Sequence, residues 1–266
     1  MEWKRVKTIL IGVLLITCLL LTGNILRQVR ASKVQERQAV RDACGVAART
    51  GVRIDAALVL ALPERSAVLT AARDSVSERA LADKLLGGEA ALDEPGGGVS
   101  IYTGENGKMS VRRAGTLEIS LAVYTGGFDR AGLSALLRNA GFDLSGSVFS
   151  QQGEALCFDQ YRSGRQILNC RLTCTAAGAG LHISGRWLLH APAESERLGG
   201  ARGELTLALA EAAAQAGATE ITGLSAGYEL TGDGVRRLEL TPVLVAETDR
   251  GRIVLDTVTK KPLSGT

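Results

Sequence analysis

Nineteen consecutive residues without a charge, Thr8 to Leu26 (TILIGVLLITCLLLTGNIL), constrain this chain more than any other feature. As a helix rising about 1.5 Å per residue the stretch is roughly 28 Å long, close to the thickness of a bilayer's hydrocarbon core. It is a membrane span or a cleaved signal. A signal would have a shorter apolar core, about 7 to 15 residues, followed by an Ala-x-Ala-like site. Gly23-Asn24-Ile25-Leu26 offers no such site, so a retained helix is expected. Leu15-Ile16-Thr17-Cys18 loosely matches a lipoprotein box, but the apolar run continues through Leu19-Leu20-Leu21, as it would not after a lipidated cysteine.

Lys4, Arg5 and Lys7 precede the span and Arg27, Arg30 and Lys33 follow it, so the positive-inside rule alone leaves the orientation open. A seven-residue tail (1–7) ahead of the span (8–26) and some 240 residues behind it favour a cytoplasmic N-terminus and an exported domain at the cell membrane. Thr8 and Gly12 lie four apart on one helix face, and Thr17 and Asn24 lie seven apart on another. These four are the candidates for contact with a partner helix. Asn24 equally suits the headgroup level.

The remaining residues suffice for one large domain or two small ones. With only 4% aromatic residues, the core must come from Ala, Leu, Val and Ile. A net charge of +3, with Lys and Arg dispersed, is too mild for a nucleic-acid partner. Cys44, Cys157, Cys170 and Cys174 form no CxxC pair, and His182 and His190 are the only histidines, so no metal site is expected.

Residues 27–65 read as a juxtamembrane segment, helical to about Arg49, or equally as a partly ordered stalk. Ser75-Val76-Ser77-Glu78 is a capping box for a helix that Gly87 ends. Glu94-Pro95-Gly96-Gly97-Gly98 reads as a loop, Asn106-Gly107 as a hairpin tip between two strands, and Leu117 to Thr125 as a third strand. The order recurs from Asp129 and again from Glu204, helices closed by Gly141 and Gly217 and each followed by three strands. The expected fold is α+β: an N-terminal transmembrane helix, then antiparallel sheets each covered by a helix. A lobe boundary near Gly146 gives residues 66–145 and 146–266, and one near Gly199-Gly200 is the alternative.

Catalysis has no visible carrier: no nucleophile sits in a recognisable turn, and there is no phosphate loop or HExxH helix. An envelope hydrolase would need a carboxylate pair such as Asp159 and Asp256, which nothing in the sequence brings together. His182 and His190 read as surface or structural histidines, Trp187 as core, and Glu194-Ser195-Glu196-Arg197 as a polar loop. Asp249 to Arg252 reads as a hairpin tip. A turn at Ser163-Gly164 would set Cys157 opposite Cys170 in the closer class of antiparallel pair, within disulfide range. Buried, unbonded cysteines acting as small apolar residues are the alternative.

The opening Met1-Glu2-Trp3-Lys4-Arg5-Val6-Lys7-Thr8-Ile9, the helix end Ala82-Asp83-Lys84-Leu85-Leu86-Gly87, the segment Phe158 to Leu172 with Gln160, Gly164, Ile167 and Asn169, and Ser184-Gly185-Arg186-Trp187 form one series of motifs. Gly227-Tyr228, Thr241-Pro242-Val243 and Ile253 to Thr259 continue it. Together they resemble YycI-type proteins, membrane-anchored companions of the WalK (YycG) sensor histidine kinase. The closing motifs also resemble PepSY-like modules. Leu244, Gln166 and Lys260 depart from that family's pattern, where Trp, Pro and Gly are usual. The resemblance implies PepSY-like α-β-β-β units and no catalysis, cofactor or small-molecule substrate. It also implies regulation of the kinase through membrane-helix contacts, together with a YycH-like paralogue. A PepSY-like peptide-binding or protease-inhibiting module is the alternative.

Overall fold

A computed structural model describes residues 2–72, 74–112, 115–189, 192–232 and 237–263. The sequence also reads strands over Lys108 to Arg113 and Arg236 to Glu247; Arg113, Arg236 and His190 lie outside the described residues. Helix α1 (Glu2–Arg49) runs unbroken for 48 residues, with no proline to interrupt it. It ends where Gly51 turns left-handed (φ 93), letting the Val52 N–H reach the Ala47 carbonyl and the Gly51 N–H reach the Ala48 carbonyl. This closure satisfies carbonyls that the helix end would otherwise orphan. A short β1 (Arg53–Ile54), α2 (Ala56–Ala61) and β2 (Ala67–Ala72) follow.

Helix α3 (Ser75–Leu86) is capped by Asp74, one residue before the expected Ser75, because the Asp74 carboxylate accepts from both the Val76 N–H (3.0 Å) and Ser77 Oγ (2.5 Å). Four strands come after it: β3 (Ala91–Gly96), β4 (Val99–Gly104), β5 (Gly107–Val111) and β6 (Thr116–Leu121). Helix α4 (Arg130–Ala140) opens a second set: β7 (Val148–Gln152), β8 (Ala155–Arg162), β9 (Arg165–Ala177) and β10 (Gly180–Arg186). The last strands of the two sets pair antiparallel, Ile119 opposite Ile183. The sheet therefore runs β3-β4-β5-β6-β10-β9-β8-β7, with the strands that follow α3 on one half and those that follow α4 on the other. The sequence yields only three strands per unit. The fourth of each, β3 and β7, is an edge strand, and β3 is exposed along its whole length and carries Pro95, so it lacks apolar alternation.

Leu81, Leu85 and Leu86 of α3 and Leu133 and Leu137 of α4 pack over one face of this sheet, on Met109, Ile119, Phe158, Leu172 and Ile183. Trp187 lies in the same core, edge-on to Phe142. The second sheet comprises β11 (Ala193–Leu198), where the sequence reads a loop, with β12 (Glu220–Gly232), β13 (Arg237–Thr248) and β14 (Gly251–Asp256). Its order is β11-β2-β13-β12, with β14 on the far half of β13 and β1 on the start of β12. Helix α5 (Arg202–Gln215) covers it together with α2 and the end of α1.

These cores do not divide at Gly146. One gathers residues from Leu81 to Trp187, and the other combines Val40 to Leu62 with Leu205 to Leu255. The first lobe is thus inserted within the second, and the end of α1, from Val40 to Ala47, packs in the second lobe, while residues 27–35 of the same helix are exposed. Pairing of β10 with β6 carries the chain past Gly146 without changing sheets.

The two sheets are joined by β9, whose Ile167 pairs in parallel with Tyr228 of β12. Ser163 and Gly164 both have positive φ (49 and 76) and close β8 onto β9 with Arg162 opposite Arg165, as expected. Between Tyr161 and Asp159, however, β9 gains three residues on its partner. Cys157 consequently faces Thr173 and not Cys170. All five cysteines are free, so the Cys157–Cys170 bond is not formed.

The slip falls where β9 leaves one sheet for the other, and two side-chain amides take over the backbone pairing there. Gln160 donates to the Leu188 carbonyl (2.9 Å) and accepts its N–H (2.8 Å). Asn169 does the same with Leu230 (both 2.8 Å). Burial pushes the Cys170 and Cys174 thiols up to about 12, from 9.0. Unfolded thiols ionise first, so this contribution to stability is full below pH 9 and is lost as the pH rises from there towards 12. Native-state alkylation at neutral pH is expected to spare both residues, and urea to expose them, as read by peptide mass spectrometry. Fast labelling of the folded protein at either site would contradict the register.

Candidate functional site

The apolar half of α1 stands free of the fold. Leu14, Ile16, Leu19 and Leu20 are each more than half exposed, an apolar surface that water does not tolerate on a lone helix. The helix is long and apolar enough to cross a membrane. Thr17 and Asn24 lie on its exposed surface. Thr8 and Gly12 also belong to α1. Thr22 bonds back to the Cys18 carbonyl (2.8 Å), so its hydroxyl is satisfied within the helix.

Past Val34 the same helix enters the second lobe. Val40, Ala43 and Ala47, spaced three and four apart, bury one stripe of it, and Val40 and Ala47 belong to the core that α5 supplies with Leu209 and Ala213. Small residues let the two backbones approach: the position a Cβ would take on Gly203 is 3.6 Å from the Ala39 carbonyl oxygen. Arg202 fastens the junction, donating to Glu36 Oε1 (2.8 Å) and to the Leu62 carbonyl at the end of α2. Both members of the ion pair are mostly buried. Beside it a groove of about 620 Å³ runs between α1 and the start of α5, lined by Ala39, Ala43, Val46 and Leu207 with Glu36 and Asp42 at its rim.

The remaining sequence candidates are dispersed. Asp159 holds Arg171 through both oxygens (2.6 and 3.1 Å) in the eight-stranded sheet. Asp256 caps the turn after β14 by accepting from the Val258 and Thr259 N–H groups. They belong to different sheets and have separate partners, so they form no acid pair. His182 Nδ1 meets Ser120 Oγ at 3.2 Å on the open sheet face. Among the described residues no group of three or more His, Cys, Asp or Glu comes together to hold a metal.

The junction between the lobes gathers residues that the sequence picks out for another reason. Ile167, Tyr228, Gln160 and Asn169 all meet there, and Arg165 stacks on the Tyr228 ring (5.8 Å) while donating to Ser66 Oγ (2.8 Å). What the sequence does not reveal is the Arg202–Glu36 tie, because its partners are 166 residues apart.

No protein-family model and no curated protein matches the chain. Among solved structures it is similar to an uncharacterized protein from Eubacterium rectale ATCC 33656, with 9% identity, a TM-score of 0.40, and coverage of 76% of this chain and 87% of that one. It is also similar to the C-terminal domain of Bacillus megaterium YpeB, with 10% identity, a TM-score of 0.34, and coverage of 71% and 95%. Both scores lie below one half, so the architecture described above rests on this chain's own strand pairing.

Proposed function

We propose that the chain is a non-catalytic, single-pass regulator of a cell-envelope sensor histidine kinase of the WalK (YycG) kind, acting beside a YycH-like paralogue. In this reading the N-terminus is cytoplasmic, Thr8 to Leu26 spans the cell membrane, and the two lobes are extracytoplasmic. The observation that carries it is the unbroken α1, one helix that is both the apolar segment and a packed element of the second lobe. A contact made by Thr17 or Asn24 with a kinase helix would thereby be tied to the folded domain without a flexible linker. The motif resemblance to YycI-type proteins supplies the identity of the partner.

The test replaces Thr8 to Leu26 with an unrelated apolar span in the full chain, followed by pull-down from detergent-solubilised membranes and measurement of signalling output. Loss of kinase association is expected. Association and output that both survive the swap would sink the helix-contact mechanism.

A second reading, a PepSY-like module that binds a peptide or inhibits a protease, is favoured by the open outer edges of β3, β7 and β11, where an added strand would find unpaired backbone groups. Protection of a β3 or β7 amide from exchange on adding a peptide would favour it over the first.

A further inference from the structure

A polar recess of about 270 Å³ opens between α4 and the loop leading into β7. Arg130, Ser134 and Arg138 line one wall. Their spacing of four residues puts them on one helix face, with the two arginines about 12 Å apart along the axis. Ser145, Gly146 and Ser147 line the opposite side, and Phe149 closes one end.

Neither arginine has a carboxylate partner among the described residues. Arg130 rests on the Phe149 ring, 5.7 Å from its centroid. Asp143, at the head of the loop, is already engaged: its carboxylate accepts the Ser145 N–H (2.9 Å) and Oγ (2.5 Å), and these bonds hold it below the usual carboxylate range, with Arg162 adding to the effect. Two unpaired guanidinium forks therefore face a space with room for roughly nine waters. Such forks match the planar or tetrahedral oxygens of carboxylate and phosphate, and serine oxygens match hydroxyl groups.

We propose that this recess binds a small hydroxylated molecule carrying an oxyanion, phosphate or carboxylate, gripped by Arg130 and Arg138 with its hydroxyls on Ser134 and the 145–147 loop. The site is in the inserted lobe, apart from the α1–α5 junction, and stands whether or not the chain regulates a kinase.

The test is calorimetric titration of the full chain, in phosphatidylcholine nanodiscs at low salt, with inorganic phosphate, glycerol 3-phosphate and glucuronate. Saturable binding of glycerol 3-phosphate or glucuronate is expected, tighter than that of inorganic phosphate. Arg130→Gln and Arg138→Gln are each expected to weaken it about tenfold, as loss of a charge-assisted contact does, and the double variant to abolish it. Arg112→Gln, on the opposite face of the sheet, is the control that leaves it unchanged. Because both arginines are exposed, the variants keep the wild-type melting curve. Nanodiscs containing phosphatidylglycerol decide the source of the anion: unchanged affinity points to a soluble ligand, and competition points to a lipid headgroup. Binding that the double variant retains, or no saturable binding of any probe, overturns the site, and phosphate binding as tightly as glycerol 3-phosphate overturns the role given to the hydroxyls.

Discussion

Gly185→Ala is expected to destabilise the eight-stranded lobe by at least about 3 kcal/mol, a large part of the 5–15 kcal/mol that holds a typical domain together. Gly185 adopts φ 141, a conformation that side chains rarely share. It lies in β10, between Leu117 of β6 and Leu172 of β9. A Cβ there would be driven into the Arg171 carbonyl oxygen, a backbone atom already fixed in the ladder. No rotamer change relieves such a clash, so two strands must separate. Gly178→Ala is the comparison, because Gly178 also has positive φ (62) but nothing within 4 Å of the new atom. That change meets only the left-handed penalty, about 1 to 2 kcal/mol. Urea unfolding read by Trp187 fluorescence, in a Trp3→Phe background, separates the two, and equal midpoint shifts for both variants would refute the argument from close approach.

Arg202→Met is expected to cost about 3 kcal/mol and to release the end of α1 from α5. The loss has two parts, a Glu36 carboxylate left mostly buried without its cation and a Leu62 carbonyl left without its donor. The prediction is sharper as a cycle. Glu36→Met alone strands the arginine, whereas Glu36→Met with Arg202→Met replaces the pair by apolar side chains of similar reach. The double variant is therefore expected to be more stable than the two single losses would add up to, by about 1 to 3 kcal/mol. Melting of the full chain in detergent measures stability, and amide exchange at 36–49 reports the release of the helix. Strict additivity would mean that the ion pair does not fasten the junction.

The readability of this chain follows the range of the forces involved. Helix ends were legible because Asp129, Gly87 and Gly141 act within one turn of themselves. The hairpin at Ser163-Gly164 was legible for the same reason. At the other expected tip the loop is Glu105-Asn106, with Gly104 opposite Gly107, because the Asn106 side chain is occupied with Val123 (2.9 and 3.0 Å) rather than with its own turn. Edge strands β3, β7 and β11 escaped because exposed strands have no buried face to impose alternation. The Cys157 register failed for a tertiary reason: counting from a turn presumes one uninterrupted ladder, and β9 has to serve β12 as well. The nesting of one lobe inside the other depends on β6 meeting β10 across some 60 residues, which no local pattern encodes. The recess was not legible: Arg130, Ser134 and Arg138 stand at helical spacing like any solvated face, and only the fold brings the 145–147 loop opposite them.

An unbroken α1 also has mechanical consequences. From Thr17, near the middle of the apolar stretch, to Ala47 in the second lobe's core is about 45 Å at 1.5 Å per residue. A 5° tilt of the span about its midpoint would sweep the docked end sideways by roughly 4 Å, which exceeds the 1–2 Å helix shifts that switch subunit interfaces elsewhere. A one-residue slide through the bilayer would lift that end by about 1.5 Å and a matching screw would turn it by about 100°. If Thr8 to Leu26 spans a membrane as proposed, Arg202 and the alanine stripe clamping the far end would make α1 a lever arm, turning a short stroke within the bilayer into a longer one at the packed end of the helix.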